Sequence, residues 1–455
     1  MKTKPIEVAL LGAGPRGELT LGGVVARFPK EMKFTAVADP NKERRDFFVK
    51  RFKIPPQNVF ETYDALLDKP QLADAIINTL PCRFHYDSTM KSLDKGYHIL
   101  LEKPVSHTPE ECFDFLAAAK KHNKIFMVAL QMKYNSIYQK AKKLIDSGKI
   151  GPLMNVDCIE NMGYFQMTSM FVRGVHARSS HTHSLTLVKS IHDIDLVNWI
   201  VGSKVKRVSS FGSLLHFKKE NAPKGAPAYC IDGCPVEKQC RYSAIKDYLK
   251  PGRPDVPLSL ILKGASLSVL RELYQEPRYR TLAALMSNDV SKKSVLKALK
   301  GPYGRCVYHC DNDVADNQTI SLEFENGVTA SMSVTGHSLV WERTLNFNGV
   351  KGEVRTQDFS GQLEVRTYMP GKVQKKRVPF NVLLHGGGDE GIMLDFVKQI
   401  RSGKPGESIA SIEAAVESHF VAFAVEEARR TGQVVDVEKF KEAASKSAAQ
   451  AKQKS

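Results

Sequence analysis

Six residues near the start of the chain, Gly12-Ala13-Gly14-Pro15-Arg16-Gly17, constrain its fold more than any other feature. They follow an apolar run at 7–11 that reads as a short buried strand, and they match G-x-G-x-x-G. The first glycine permits a tight turn and the second lets the backbone approach a pyrophosphate. The third allows close contact between helix and strand. The helix that starts here presents unpaired N–H donors and a positive dipole end to an anion. A second strand, 34–38, ends at Asp39, near the spacing at which a carboxylate accepts hydrogen bonds from ribose hydroxyls. Gly12, Ala13, Gly14, Pro15, Arg16, Gly17 and Asp39 are therefore the expected dinucleotide contacts. The competing reading is a glycine-rich turn that serves another ligand. Asp39 would repel a 2′-phosphate and so favours NAD, whereas Lys42, Arg44 and Arg45 just beyond it are the groups that NADP would use.

Further strands at 75–79, 98–101 and 126–129 alternate with amphipathic helices, which predicts β-α-β units and a doubly wound parallel sheet over residues 1–130. The text then changes. A helix at 137–147, a strand at 154–160 and a helix at 186–200 lead into a Pro- and Lys-rich insertion at about 214–310. Alternating strands follow from residue 319, with Asn326-Gly327 and Asn348-Gly349 expected as hairpin turns. Residues 131–436 thus read as an α/β domain built on a large, mainly antiparallel sheet. The basic tail, 437–455, reads as a frayed helix or disorder.

A chain of 455 residues is too long for one ordinary core, and two domains with an insertion suit that length. With 42% hydrophobic and 25% charged residues it is a packed protein. No apolar run approaches a membrane span or a signal-peptide core, so the chain reads as soluble and cytoplasmic, with no membrane partner. The net charge of +17 invites a nucleic-acid reading. However, the insertion alone holds 17 Lys and Arg against 8 Asp and Glu between Lys218 and Arg305, and no nucleic-acid signature accompanies them. A solvated basic face is expected, and an anionic substrate stays open.

A second motif, Leu101-Glu102-Lys103-Pro104, ends a strand where the carboxyl edge of a parallel sheet faces its ligand crevice. A lysine there can hydrogen-bond a substrate hydroxyl and carry its proton, although on the tripeptide alone a surface lysine is the better reading. Together, Gly12–Gly17, Asp39, Glu102-Lys103-Pro104 and Ile191-His192-Asp193-Ile194-Asp195 resemble the Gfo/Idh/MocA oxidoreductases over nearly the whole chain outside the insertion. The resemblance implies a Rossmann domain followed by an α/β sheet domain used for assembly into dimers or tetramers. It also implies NAD(P)-dependent oxidation or reduction of a sugar or cyclitol hydroxyl. Lys103 and His192 are then the implied catalytic residues, and Thr79, Pro81, His85, Glu102 and Lys103 lie around the cofactor.

Many relatives carry an Asp four residues before the histidine, where this chain has Val188. Lys189 lies three residues before His192 and shares its helical face, either as a third catalytic group or in a salt bridge to Asp193. Tyr134, Arg173, His385 and Asp389 are the expected substrate contacts, with His181 and His183 as further polar candidates. In the run His385–Glu390 the Asp serves either as a helix cap or as part of a substrate loop. Two other activities fit the resemblance. One is a redox-neutral glycosidase that holds NAD tightly and passes through a keto-sugar; the other is a non-catalytic NAD-binding regulator.

Five cysteines, Cys230-x3-Cys234-x5-Cys240 and Cys306-x3-Cys310, group in and just after the insertion and suggest structural zinc held by thiolates. Similarity to relatives with a comparable insertion implies Cys230, Cys234, Cys240 and Cys306 as the ligands. The alternative is a set of buried thiols, or disulfides formed in air.

Overall fold

The computed structural model describes residues 4–249, 278, 281–379 and 385–454, and part of the expected insertion therefore lies outside the described residues. The chain divides into two compact units.

The first unit comprises residues 1–135, 387–423 and 437–455. Its sheet contains β1 (Ile6–Leu11), β2 (Met32–Ala38), β3 (Val59–Phe60), β4 (Ala75–Asn78), β5 (His98–Leu101) and β6 (Phe126–Val128). These lie in the order β3-β2-β1-β4-β5-β6 and every pairing is parallel. The order reverses at β1, which places a ligand crevice at the carboxyl ends of β1 and β4. Val8–Leu11, Ile76, Ile77 and Ile99–Leu101 are all buried, as expected of strands covered on both faces. The connecting helices begin where the sequence supplies caps: Asn41, Thr62 and Thr108 each accept from a backbone N–H of the first turn.

The C-terminal tail differs from its expectation. Val437–Lys454 is a helix packed against the helix Pro109–His122. Val437, Phe440 and Ala444 recur at helical spacing on its inner side, and Lys441 donates to both carboxylate oxygens of Glu417 at 2.6 Å. An apolar stripe and an ion pair anchor what composition alone presented as a loose end.

The second unit comprises residues 136–386 and 424–436. Its nine strands are β7 (Leu153–Gly163), β8 (Val205–Ser213), β9 (Asn317–Phe324), β10 (Thr329–Ser338), β11 (Glu342–Gly349), β12 (Gly352–Gln357), β13 (Gln362–Thr367), β14 (Lys372–Arg377) and β15 (Val435–Asp436). They run β14-β13-β12-β11-β7-β10-β9-β8-β15 and pair antiparallel, except that β7 lies parallel to β10. Burial alternates along β9 and β10, so one face is covered and the other open. The helix Ile191–Val201 lies against β7.

Asn326-Gly327 forms the β9–β10 turn, with Gly327 at φ +83°. Asn348-Gly349 does not form a turn. Gly349 stays in β11 and pairs with Gly352, and the turn falls on Val350-Lys351. The reason is packing: a Cβ on Gly349 would stand 2.3 Å from the Ile150 carbonyl oxygen. This glycine serves a close backbone approach. Around the insertion, Phe165, Ala244, Tyr248, Leu282, Val295 and Leu299 form a small core of their own. Among the described residues, no helix is long and apolar enough to cross a membrane.

Candidate functional site

In the first unit, the turn after β1 begins at Gly12, φ +89°, where a Cβ would lie 2.8 Å from the Thr79 carbonyl oxygen. At Gly17 a Cβ would meet Gly12 O at 2.4 Å and Thr79 Oγ1 at 2.5 Å. Neither position can carry a side chain without moving backbone. Thr79 locks the turn by donating to Gly12 O at 2.6 Å. Gly14 precedes a wide helical turn, Pro15–Leu21, which continues as the helix Gly22–Arg27, and no side chain caps this start. The fingerprint thus has the open, donor-rich end that a pyrophosphate requires.

Asp39 is buried at the end of β2. One carboxylate oxygen accepts from Ala13 N and the other from Asn41 N, both at 2.8 Å. The acid is seated against the glycine turn, with lone pairs remaining for ribose hydroxyls. Of the three basic residues beyond it, Arg45 is buried and donates to Asp39 O and Glu61, and Lys42 pairs with Asp46. Arg44 is the one that turns toward the glycine loop, its Nη1 lying 3.7 Å from where a Cβ on Gly14 would be.

Lys103 lies just past β5 in a tightly held turn. Glu102 accepts from Lys103 N at 3.2 Å and from Arg16 Nε at 2.5 Å. Arg16 also donates to Asp389 at 2.7 Å, and these two carboxylates hold its guanidinium above its ordinary range against the opposing effect of burial. Asp389 is fully buried in the first turn of the helix Gly388–Ser402, and Gly387 is the cap residue. The acid expected to cap that helix or to contact substrate therefore anchors the fingerprint arginine.

Pro81 opens the short turn Cys82–Phe84, and His85 follows with its ring between two carbonyl oxygens, those of Leu80 and Pro104. On the other side of the turn, Val105 N donates to His419 Nε2 at 3.1 Å, while His419 Nδ1 faces Ala415 O at 2.7 Å. Burial lowers His419 to about 4, so it stays neutral and accepts. Sequence reading missed His419; a lone histidine in the apolar helix Ile412–Thr431 was its only signal. Tyr134 is engaged too, donating to Asp395 at 2.6 Å with Ser408 at 3.1 Å.

In the second unit a wide turn, Thr186–Ser190, feeds the helix that carries His192. Val188 is buried in an apolar cluster, which explains why no acid stands there. Lys189 pairs with Glu160 at 3.0 Å and not with Asp193, which receives Arg343 Nε at 2.6 Å. Arg343, 1% exposed, also meets Glu160 at 2.5 Å and takes Asp358 onto its backbone N–H at 2.8 Å. Trp341 donates to Glu160 at 2.8 Å beneath the Lys189 ammonium, 5.0 Å from the ring centre. Its ring is perpendicular to that of His385, with centroids 6.0 Å apart, and the His385 ring lies 6.5 Å from that of His192.

Burial raises Asp193 to about 6 and Asp358 to about 7, and it lowers Lys189 despite its carboxylate neighbours. Burial opposes ionisation of Glu160 too, but Arg343 and Lys189 hold that carboxyl below its usual range. Glu160, Trp341, Arg343 and Asp358 were not legible as site residues, since none belongs to a spaced motif.

Arg173, expected at the substrate, is buried elsewhere in this unit. It donates to Arg305 O at 2.7 Å and Tyr242 O at 2.5 Å, which ties the two sides of the insertion together. Cys230, Cys234, Cys240 and Cys306 do line one pocket, beside Tyr242 and Tyr308. However, no three of their sulfurs gather within 4.8 Å of one another, and Cys310 donates to Cys306 O. Cys230 lies against Arg173 at 3.7 Å. The thiols fill a packed pocket without the convergence of a tetrahedral zinc shell.

A parallel sheet with this glycine turn, acid and strand-end lysine defines an NAD-binding oxidoreductase. Comparison with known proteins agrees. Residues 6–130 match "Oxidoreductase family, NAD-binding Rossmann fold" and residues 138–229 match the GFO/IDH/MocA C-terminal domain. These two stretches match the N- and C-terminal domains of the Gfo/Idh/MocA oxidoreductases in chain order, and the chain is similar to that family. It is 22% identical to YteT of Bacillus subtilis (strain 168), described as an oxidoreductase, over 82% of this chain and 83% of that protein. It is 27% identical to the scyllo-inositol 2-dehydrogenase (NAD(+)) of the same organism, over 46% of this chain and 58% of the relative. That match spans less than two thirds of the dehydrogenase. A crystal structure of scyllo-inositol dehydrogenase from Lactobacillus casei with bound NAD(H) and scyllo-inositol superposes with a TM-score of 0.62. The two share 18% identity, over 96% of this chain and all of that one.

Proposed function

We propose that this protein oxidises a secondary hydroxyl of a sugar or cyclitol, with NAD as the dissociable hydride acceptor. The observation that carries the reading is the Lys103 turn. It lies at the carboxyl edge of β5 and is joined through Glu102 and Arg16 to the loop built for a pyrophosphate. NAD, when bound, supplies the hydride-accepting ring. Lys103 hydrogen-bonds the reacting hydroxyl and removes its proton. In the second unit His192 is a proposed hydroxyl-binding group, and its neighbour Lys189 is paired with Glu160. Asp39 takes the ribose hydroxyls, and its seating on Ala13 supports NAD over NADP. His385, beside Trp341, is a substrate contact in this reading.

Assembly into a dimer or tetramer is proposed through the open face of the nine-stranded sheet, where Ile159 is 43% exposed. The eight free thiols suit a reducing compartment such as the cytoplasm.

The test is NADH formation at 340 nm against a panel of inositols, aldoses and their acids, with NAD and NADP in parallel. Lys103→Met should keep cofactor binding and lose turnover. Wild-type protein that retains NAD through purification and cleaves glycosides without net NADH would establish the redox-neutral reaction instead. Cofactor binding with neither activity would favour a regulatory role.

A further inference from the structure

His85 stands between two loops of the first unit, and its hydrogen bonding does not balance for a neutral ring. Nδ1 lies 2.8 Å from Pro104 O and Nε2 lies 2.8 Å from Leu80 O. Both partners are carbonyl oxygens, which accept only, and a neutral imidazole has one N–H. With one proton, the other nitrogen would present a lone pair to an oxygen at contact distance in a site that is 1% exposed. With two protons both contacts become charge-assisted donations. His419, across the same turn, has one accepting partner and one donating partner and is satisfied as a neutral ring.

We propose that His85 is a positioning residue. Its doubly protonated ring clamps the loop after β4 to the Glu102-Lys103-Pro104 turn, and loss of one proton frees one of the two carbonyls and loosens the placement of Lys103. This rests on the catalytic role proposed for Lys103, but the clamp itself is tested without turnover.

The charged and titratable groups around the ring are Glu102 on the turn, His107 beyond it, Cys82 on the preceding turn and His419 on its helix. Burial pulls the His85 proton affinity down, while the two carbonyls and Glu102 act to raise it, so its release falls on the acid side of an ordinary histidine. Cys82 adds a weaker tether, its Sγ donating to Pro104 O at 3.4 Å. Pro104 therefore keeps one partner when the imidazole lets go, and Leu80 keeps no such thiol.

The experiment uses the full chain, labelled with ¹⁵N at histidine and titrated from pH 4.5 to 8. Ring-nitrogen shifts would be followed beside hydrogen exchange in peptides covering 79–86 and 102–106, corrected for intrinsic rates. Two protonated nitrogens should be seen on the acid side and one on the alkaline side. Protection of both peptides should fall by about three- to tenfold across the same transition, the scale of one hydrogen bond. His85→Asn keeps a donor for Pro104 but cannot titrate. It should show low protection at every pH and identifies the His85 signal by its loss. If that variant does not fold, His85→Gln assigns the signal and the wild-type titration decides. A ring with one protonated nitrogen throughout, or peptides whose protection ignores pH, overturns the clamp even where Lys103→Met abolishes turnover. A pH-linked clamp in a protein whose Lys103→Met variant still turns over would refute only the catalytic reading.

Discussion

Replacing Arg343 with methionine removes the cation that faces Glu160, Asp193 and Asp358 while keeping most of the buried volume. Breaking a buried ion pair by deleting one partner costs about 3–5 kcal/mol, because the remaining charge is left without compensation. Three carboxylates around a residue that is 1% exposed place this case at the upper end of that range. The cost also depends on pH. Asp193 and Asp358 have folded pKa values of about 6 and about 7, above the ordinary Asp value. The folded state therefore binds more protons than the unfolded state between about pH 4 and pH 7, and their contribution to stability falls as pH rises through that window. Without Arg343 both values rise further, so the loss should deepen from pH 5 to pH 8.

Trp199 and Trp341 are the chain's two tryptophans and both lie in the second unit, so tryptophan fluorescence, excited selectively over tyrosine, reports that unit alone. In urea, with a slope of about 2–3 kcal/mol per molar, the midpoint at pH 8 should fall by about 1–2 M. At pH 5 the fall should be less than half as large. A loss below about 1 kcal/mol, or one equal at the two pH values, would show that the guanidinium does not carry the charge of this cluster.

Three other outcomes follow from the first unit. Gly17→Ala drives a methyl to 2.4 Å from Gly12 O, so the turn must open. Calorimetry should show NAD affinity weakened at least about tenfold, within the 1–3 kcal/mol of an overpacked site, while circular dichroism stays native. His419→Gln keeps an acceptor for Val105 N–H but does not titrate. Wild-type stability attributable to this ring is complete above its unfolded pKa of about 6.5 and is lost as pH falls toward the folded value of about 4, by about 3 kcal/mol. The variant should lack that acid loss in thermal melts between pH 7 and pH 4. Asp39→Asn removes the charge that opposes a 2′-phosphate but leaves one acceptor for Ala13 N–H, so binding titrations should show the NADP-to-NAD affinity ratio rising about tenfold or more.

The parts of this protein that were legible in its sequence are those whose chemistry is local. Gly12 and Gly17 must be glycine because backbone passes within a Cβ radius of them, and Asp39 must end β2 to meet Ala13 N–H. Constraints of that kind recur at fixed spacing. The partners that aim the site are long-range: Arg16 meets Asp389 across 373 residues, Val105 meets His419 across 314 and Arg343 meets Asp193 across 150. Periodicity says which face of an element is buried but not which charge on another element it will meet. Arg16 shows the consequence, since in the fingerprint it occupies an unspecified position. Its two carboxylates make it the link between the pyrophosphate loop and the Lys103 turn. A cofactor seated on that loop would therefore bear on the lysine through a single guanidinium held from both sides.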